Sequence, residues 1–95
     1  MYALIRSYAD PASTRDDLVR AGRACARVLD DAPGFISCLI LRDDSGRLTV
    51  LTLFDGLADL QTAEHTPGTT LADHLAGLTR ACDCIAADVI FQRGL

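Results

Sequence analysis

The chain has no lysine, no tryptophan and no asparagine among its 95 residues, and one glutamate, Glu64. Positive charge therefore rests on nine arginines, against thirteen acidic side chains. These charges are scattered, with no basic stripe, which argues against a nucleic-acid partner. No apolar run approaches the roughly 20 residues that a membrane helix needs. The opening "MYALIRSYAD" lacks a basic n-region and a small-residue cleavage site, so no signal peptide is expected and the cytoplasm is the expected location. The four cysteines, Cys25, Cys38, Cys82 and Cys84, include no C-x-x-C pair, the spacing of zinc and redox motifs. Reduced thiols packing as small apolar groups are expected. No metal site is expected either. Glu64 and Asp73 neighbour the two histidines, His65 and His74, but adjacent helical positions point different ways.

What is present reads as one domain, residues 1–95, with a single core. Apolar residues make up 49% of the chain, too many for disorder. "YALIRSYA", 2–9, reads as a strand ending at Asp10-Pro11. Ser13 or Thr14 then opens a helix with Asp16 and Asp17 in its first turn, where negative charge suits the helix dipole. Leu18, Gly22, Cys25 and Leu29 form its buried stripe, and Arg20, Arg23 and Arg27 its outer face. "APG" at 32–34 stops it. "FISCLILR" (35–42) and "RLTVLTLF" (47–54) read as a hairpin joined by "DDSG", with Gly46 supplying positive φ. A short helix, "GLADLQTAEH", follows. Thr69 or Thr70 caps another, with Leu71, Leu75, Leu78 and Cys82 on one stripe, and "IAADVIFQR", 85–93, reads as the last strand.

The order β-α-β-β-α-β is the ferredoxin-like α+β plan. Strands 35–42 and 47–54 are apolar on both faces, so both faces need cover. Two helices cover one face. A second copy of the chain, sheet against sheet, covers the other, and a homodimer is expected. In the first strand, Ala3, Ile5 and Ser7 are assigned to the helices, and Leu4, Arg6 and Tyr8 to the partner. Arg6 then needs a carboxylate, with Asp88 the candidate.

Pro33-Gly34-Phe35 at the entry to the second strand, the hairpin, the aromatic end of the third strand (Phe54) and the turn in "LFDGLADLQTAEHTPGTTLADHL" together resemble the antibiotic biosynthesis monooxygenase superfamily. The resemblance covers nearly the whole chain. It implies a dimeric α+β barrel with a pocket between sheet and helices that takes small aromatic or polyketide-like molecules, or haem. One branch oxidises electron-rich phenols and anthrones with O2 and no cofactor, a chemistry of secondary metabolism. Another degrades haem with an Asn on the first strand, a Trp on the helix after the third strand and a His on the next helix. Ser7 and Ala63 stand by count at the first two positions, and His74 matches the third.

His74 is accordingly the expected catalytic residue. A wheel places it roughly 70° from the leucine stripe, half-facing the core. A neutral imidazole could take a phenolic proton near pH 7. Ser7, Phe35, Phe54 and His65 are the expected substrate-binding residues. His65 has a competing reading as a helix-end cap, and the phenylalanines as core. The expected function is a cofactor-independent monooxygenase acting on an aromatic or polyketide-type substrate. The alternatives are a non-catalytic accessory dimer and a haem-binding relative using His74. A His74 ring bordering a cavity between helices and sheet, within reach of Ser7, favours the oxygenase; a ring without one favours the accessory dimer.

Overall fold

The computed structural model describes residues 1–9, 13–75, 78 and 83–94. Strand β1 spans Tyr2–Ala9, helix α1 Arg15–Leu29, strands β2 and β3 Phe35–Arg42 and Arg47–Phe54, helix α2 Leu57–Glu64, and strand β4 Asp83–Asp88. The four strands form one antiparallel sheet in the order β2-β3-β1-β4, with the helices on one face. This is the expected ferredoxin-like α+β fold. No helix among the described residues is long and apolar enough to cross a membrane.

Local chemistry sets the boundaries. Thr14 caps α1: its Oγ1 accepts from the Asp17 N–H at 3.1 Å, and the Asp17 carboxylate accepts from the Thr14 N–H at 3.4 Å. This reciprocal pair satisfies two donors that a helix start leaves free. The hairpin turn is tied by Asp43, whose carboxylate accepts from Ser45 N at 2.9 Å, Ser45 Oγ at 2.6 Å and Arg47 N at 3.0 Å. Gly46 supplies the left-handed φ of 85°. Gly34 (φ 72°) brings β2 so close to α2 that any Cβ there would collide with the Asp59 side chain.

The core lies between the sheet and the helices. Leu18, Ala21, Cys25 and Leu29 of α1 meet Leu4, Tyr8, Leu48 and Phe54 of the sheet, with Leu60 and Ala63 of α2 and Leu71 beyond. This reverses the expected faces of β1. Leu4, Arg6 and Tyr8 face the helices, whereas Ala3, Ile5 and Ser7 face the open side with Leu53, Leu51 and Thr49, their partners in register. Volume decides the matter: Leu4 and Tyr8 fill the layer where Ala3 and Ser7 would leave voids. Arg6 consequently lies opposite Cys84 and not Asp88, which pairs with Tyr2.

Two elements differ from expectation. The leucine-bearing helix appears among the described residues as one 3-10 turn, Leu71–Asp73, entered from Thr70. Leu71 is buried, and Leu75 and Leu78 pack against the core. Cys82 and the Asp10-Pro11 strand end lie outside the described residues. Strand β4 starts two residues earlier than expected and stops at Asp88, because its register with β1 is used up at Tyr2. Ile90 and Phe91 beyond it are 88% and 83% exposed.

Candidate functional site

The segment 68–75 is stitched across itself. Gly68 N–H donates to the Asp73 carboxylate at 3.0 Å, and Thr70 N–H donates to the same oxygen at 3.3 Å. Burial pushes the Asp73 carboxyl up. The hydrogen bonds from Thr70 and Gly68 and the His74 charge outweigh it, holding Asp73 below its ordinary 3.8. His74 completes the loop, with Nε2 at 2.7 Å from the Gly68 carbonyl oxygen. A carbonyl only accepts, so Nε2 carries the proton and, in the neutral ring, Nδ1 keeps its lone pair. The imidazole is thus oriented by Gly68, and its Nδ1 has no hydrogen-bond partner among the described residues.

Two grooves flank α1. One, of about 410 Å³, lies between α1 and the 68–75 loop and is lined by Asp17, Arg20, Ala21, Ala24, His74 and Leu75. His74 therefore borders a cavity, but among the described residues that line it none belongs to the sheet. Ser7 sits on the opposite face of the sheet, so the expected pairing of His74 with Ser7 across one pocket does not assemble. Ser7 cannot reach a ligand held between this chain's own sheet and helices. The other groove, of about 490 Å³, lies between α1 and β2.

The remaining expected site residues serve the scaffold. His65 ends α2, and its Nδ1 lies 2.8 Å from the Gln61 carbonyl oxygen. That is a helix-end contact, and touching a substrate would require the ring to leave it. Phe54 is fully buried, and Phe35 packs edge-to-face against it with ring centroids 6.1 Å apart. Phe54 borders a void of about 10 Å³ with Leu4, Arg6, Leu29, Thr52, Ala63 and Thr69, room for one water at most. The pair is core, apart from both grooves. Among the described residues no three His, Cys, Asp or Glu side chains gather as metal ligands would.

No family model and no curated protein matches the sequence. Solved structures match along nearly its whole length. SnoaB, a cofactor-independent oxygenase from Streptomyces nogalater, aligns with a TM-score of 0.74 at 13% identity, over 96% of this chain and 94% of its own. A candidate antibiotic biosynthesis monooxygenase from Nitrosomonas europaea aligns with a TM-score of 0.70 at 18% identity, over 96% of this chain and 100% of its own. The chain has the fold of the antibiotic biosynthesis monooxygenases. A haem-degrading protein from Mycobacterium tuberculosis shares it, with a TM-score of 0.70 at 20% identity over 98% of this chain and 94% of its own.

Within this monooxygenase fold the thiols are graded by burial. Cys25 is 5% exposed, and burial, with the neighbouring Cys38 adding to it, pushes its thiol up to about 11. Burial raises Cys38 too, opposed by the Thr52 hydroxyl, 3.8 Å from its sulfur. Cys84 is exposed on β4. Since the thiolate is the reactive form, iodoacetamide on the native protein should label Cys84 first, Cys38 more slowly and Cys25 last. Peptide mass spectrometry reads the order, and early labelling of Cys25 would contradict the α1 register.

Proposed function

We propose that the chain is a small cofactor-independent monooxygenase, acting on an aromatic or polyketide-type substrate, with His74 as its general base. The observation that carries this reading is the His74 ring, held by Gly68 with Nδ1 unengaged by any described residue, beside a groove wide enough for a small organic molecule. Fold likeness to a cofactor-independent oxygenase adds support. The chemistry needs little from the protein. Nδ1 takes the proton of an electron-rich phenol or enol. The resulting anion gives an electron to O2, and the two radicals join in a carbon–oxygen bond. The peroxide then loses water, so that one CH2 and one O2 become one C=O and one H2O. Desolvating the anion and keeping it fixed are the tasks left to the groove.

Haem as the cofactor finds less support. Nε2 of His74 is engaged by Gly68, leaving iron only the ring nitrogen nearer the backbone, and among the described residues the groove has no wall from the sheet. These residues do not fit a haem.

The separation of Ser7 from His74 favours a second reading, a non-catalytic accessory dimer. Assay of anthrone oxidation under air separates the two. The oxygenase reading expects turnover in the wild type and a loss of about 10²-fold or more in His74→Ala, the scale of a general base. His65→Ala should keep turnover and lose at most about 1 kcal/mol of stability. A wild type inert toward anthrones and phenols, or a His74→Ala variant as fast as the parent, would leave the accessory dimer standing.

In either reading the proposed assembly is a homodimer through the open sheet face. Leu39, Leu41 and Ile85 expose 45%, 52% and 50% of their surface there, beside Ile5, Leu51 and Ala87. A contiguous apolar patch of this kind is a usual mark of a protein interface.

A further inference from the structure

The groove between α1 and β2 stands apart from His74 and has a different character. Its helix wall is two parallel rows at four-residue spacing, Arg15–Val19–Arg23 and Leu18–Gly22–Ala26. Its floor is the helix-facing side of β2, Cys38, Ile40 and Arg42. The helix lies close to this floor because Gly22 has no Cβ: one there would sit 2.9 Å from Ile40 Cδ1.

The charge around this groove runs against the rest of the molecule. The chain as a whole carries a formal net charge of −4, yet three of its nine arginines line this one groove and, among the described residues, no acidic side chain does. Arg42 is held in place, its Nη1 donating to the Ser13 carbonyl oxygen at 3.1 Å. Among the described residues the one salt bridge joins Arg20 to Asp17, on the other flank of α1. The donors of Arg15 and Arg23 are therefore not matched by a carboxylate of the described chain. An apolar floor beneath a rim of guanidinium groups suits a molecule with an apolar body and an anionic end, since arginine binds carboxylate and sulfonate oxygens through paired N–H donors.

We propose that the α1–β2 groove is a binding site for an amphipathic organic anion, an aromatic carboxylate or sulfonate, whose ring lies on Leu18, Cys38 and Ile40 and whose anionic group meets Arg15, Arg23 and Arg42. The site does not depend on the oxygenase reading, because none of these residues borders the His74 groove.

The probe is 1-anilinonaphthalene-8-sulfonate, followed by its fluorescence, with the uncharged N-phenyl-1-naphthylamine as the control. Saturable binding of the sulfonate is expected, weakening as salt rises. Arg15→Ala/Arg23→Ala should raise its Kd at least tenfold and leave the Kd of the neutral probe within twofold. Ala26→Phe, which fills the groove without touching charge, should weaken both. Saturating sulfonate should also slow iodoacetamide labelling of Cys38 and leave Cys84 unaffected. These readouts separate the groove from the apolar open face, which offers no such arginines. Circular dichroism confirms that each variant is folded. Unchanged sulfonate affinity in a folded Arg15→Ala/Arg23→Ala protein, or Cys38 labelling at the same rate with and without the probe, would overturn the proposal.

Discussion

Replacing Leu39 and Leu41 by aspartate should leave the chain a folded monomer where the parent sediments as a dimer at micromolar concentration. Both side chains stand on the open face of β2, Leu39 opposite Leu51 and Leu41 opposite Thr49. In an isolated chain they meet water, so the substitutions cost the monomer little. In a sheet-to-sheet dimer each would bury an unpaired carboxylate, a penalty of several kcal/mol per ion. Four such ions per dimer would weaken association far beyond 10³-fold, since each 1.4 kcal/mol is a factor of ten. Sedimentation velocity reads the mass and circular dichroism the fold. A parent protein that sediments as a monomer would remove the dimer altogether. A variant that still dimerises would move the interface off this face.

Phe54→Ala is the substitution expected to cost most within the single chain. Phe54 has no exposed surface and packs edge-to-face on Phe35. Removing a buried phenylalanine ring typically costs about 3–5 kcal/mol, through lost transfer energy and the cavity left behind. In a domain of this size about 1 kcal/mol moves Tm by roughly 4–8 °C, so a fall well above 10 °C is expected. Phe35→Ala, at a half-buried position, should cost less. A fall of under about 5 °C for Phe54→Ala would mean that the ring borders an open pocket and is not part of the packed core.

The elements were legible where local chemistry decides them. Strands 35–42 and 47–54, the turn closed by Asp43 and Gly46, and the Thr14 cap all follow from residues within a few positions of one another. The faces of β1 were not legible, because the hydropathy alternation in "YALIRSYA" is ambiguous: Arg6 shares a face with Leu4 and Tyr8. Alternation alone assigns that face to a partner copy, whereas the helix layer takes the larger side chains, Leu4 and Tyr8, and Arg6 with them. The same error carried Ser7 into the expected site. His74 was placed near a cavity by its leucine neighbours, but its bond to Gly68 needs the left-handed turn at that glycine (φ 87°), a conformation that no helical wheel contains. The groove arginines were missed for another reason. Arg23 reads as part of a solvated helix face until Arg42, nineteen positions later, is seen to lie across from it. Arginines at 15 and 23, beside the alternation Cys38-Ile40-Arg42, were the available signal.

The strand order β2-β3-β1-β4 also sets a schedule for synthesis. β1 is the first strand made, and its two neighbours come forty or more residues later. The β2–β3 hairpin can close on its own in microseconds, and β3 then offers β1 one edge. The other edge has to wait for residues 83–88. At an elongation rate of about 5–20 residues per second, that wait lasts several seconds. Throughout it the nascent chain carries an apolar strand with one bare side, in a crowded cell where other unfinished strands are close by. Slowing translation between α2 and β4 would lengthen that exposure and should lower the yield of soluble protein without changing a single residue of the finished fold.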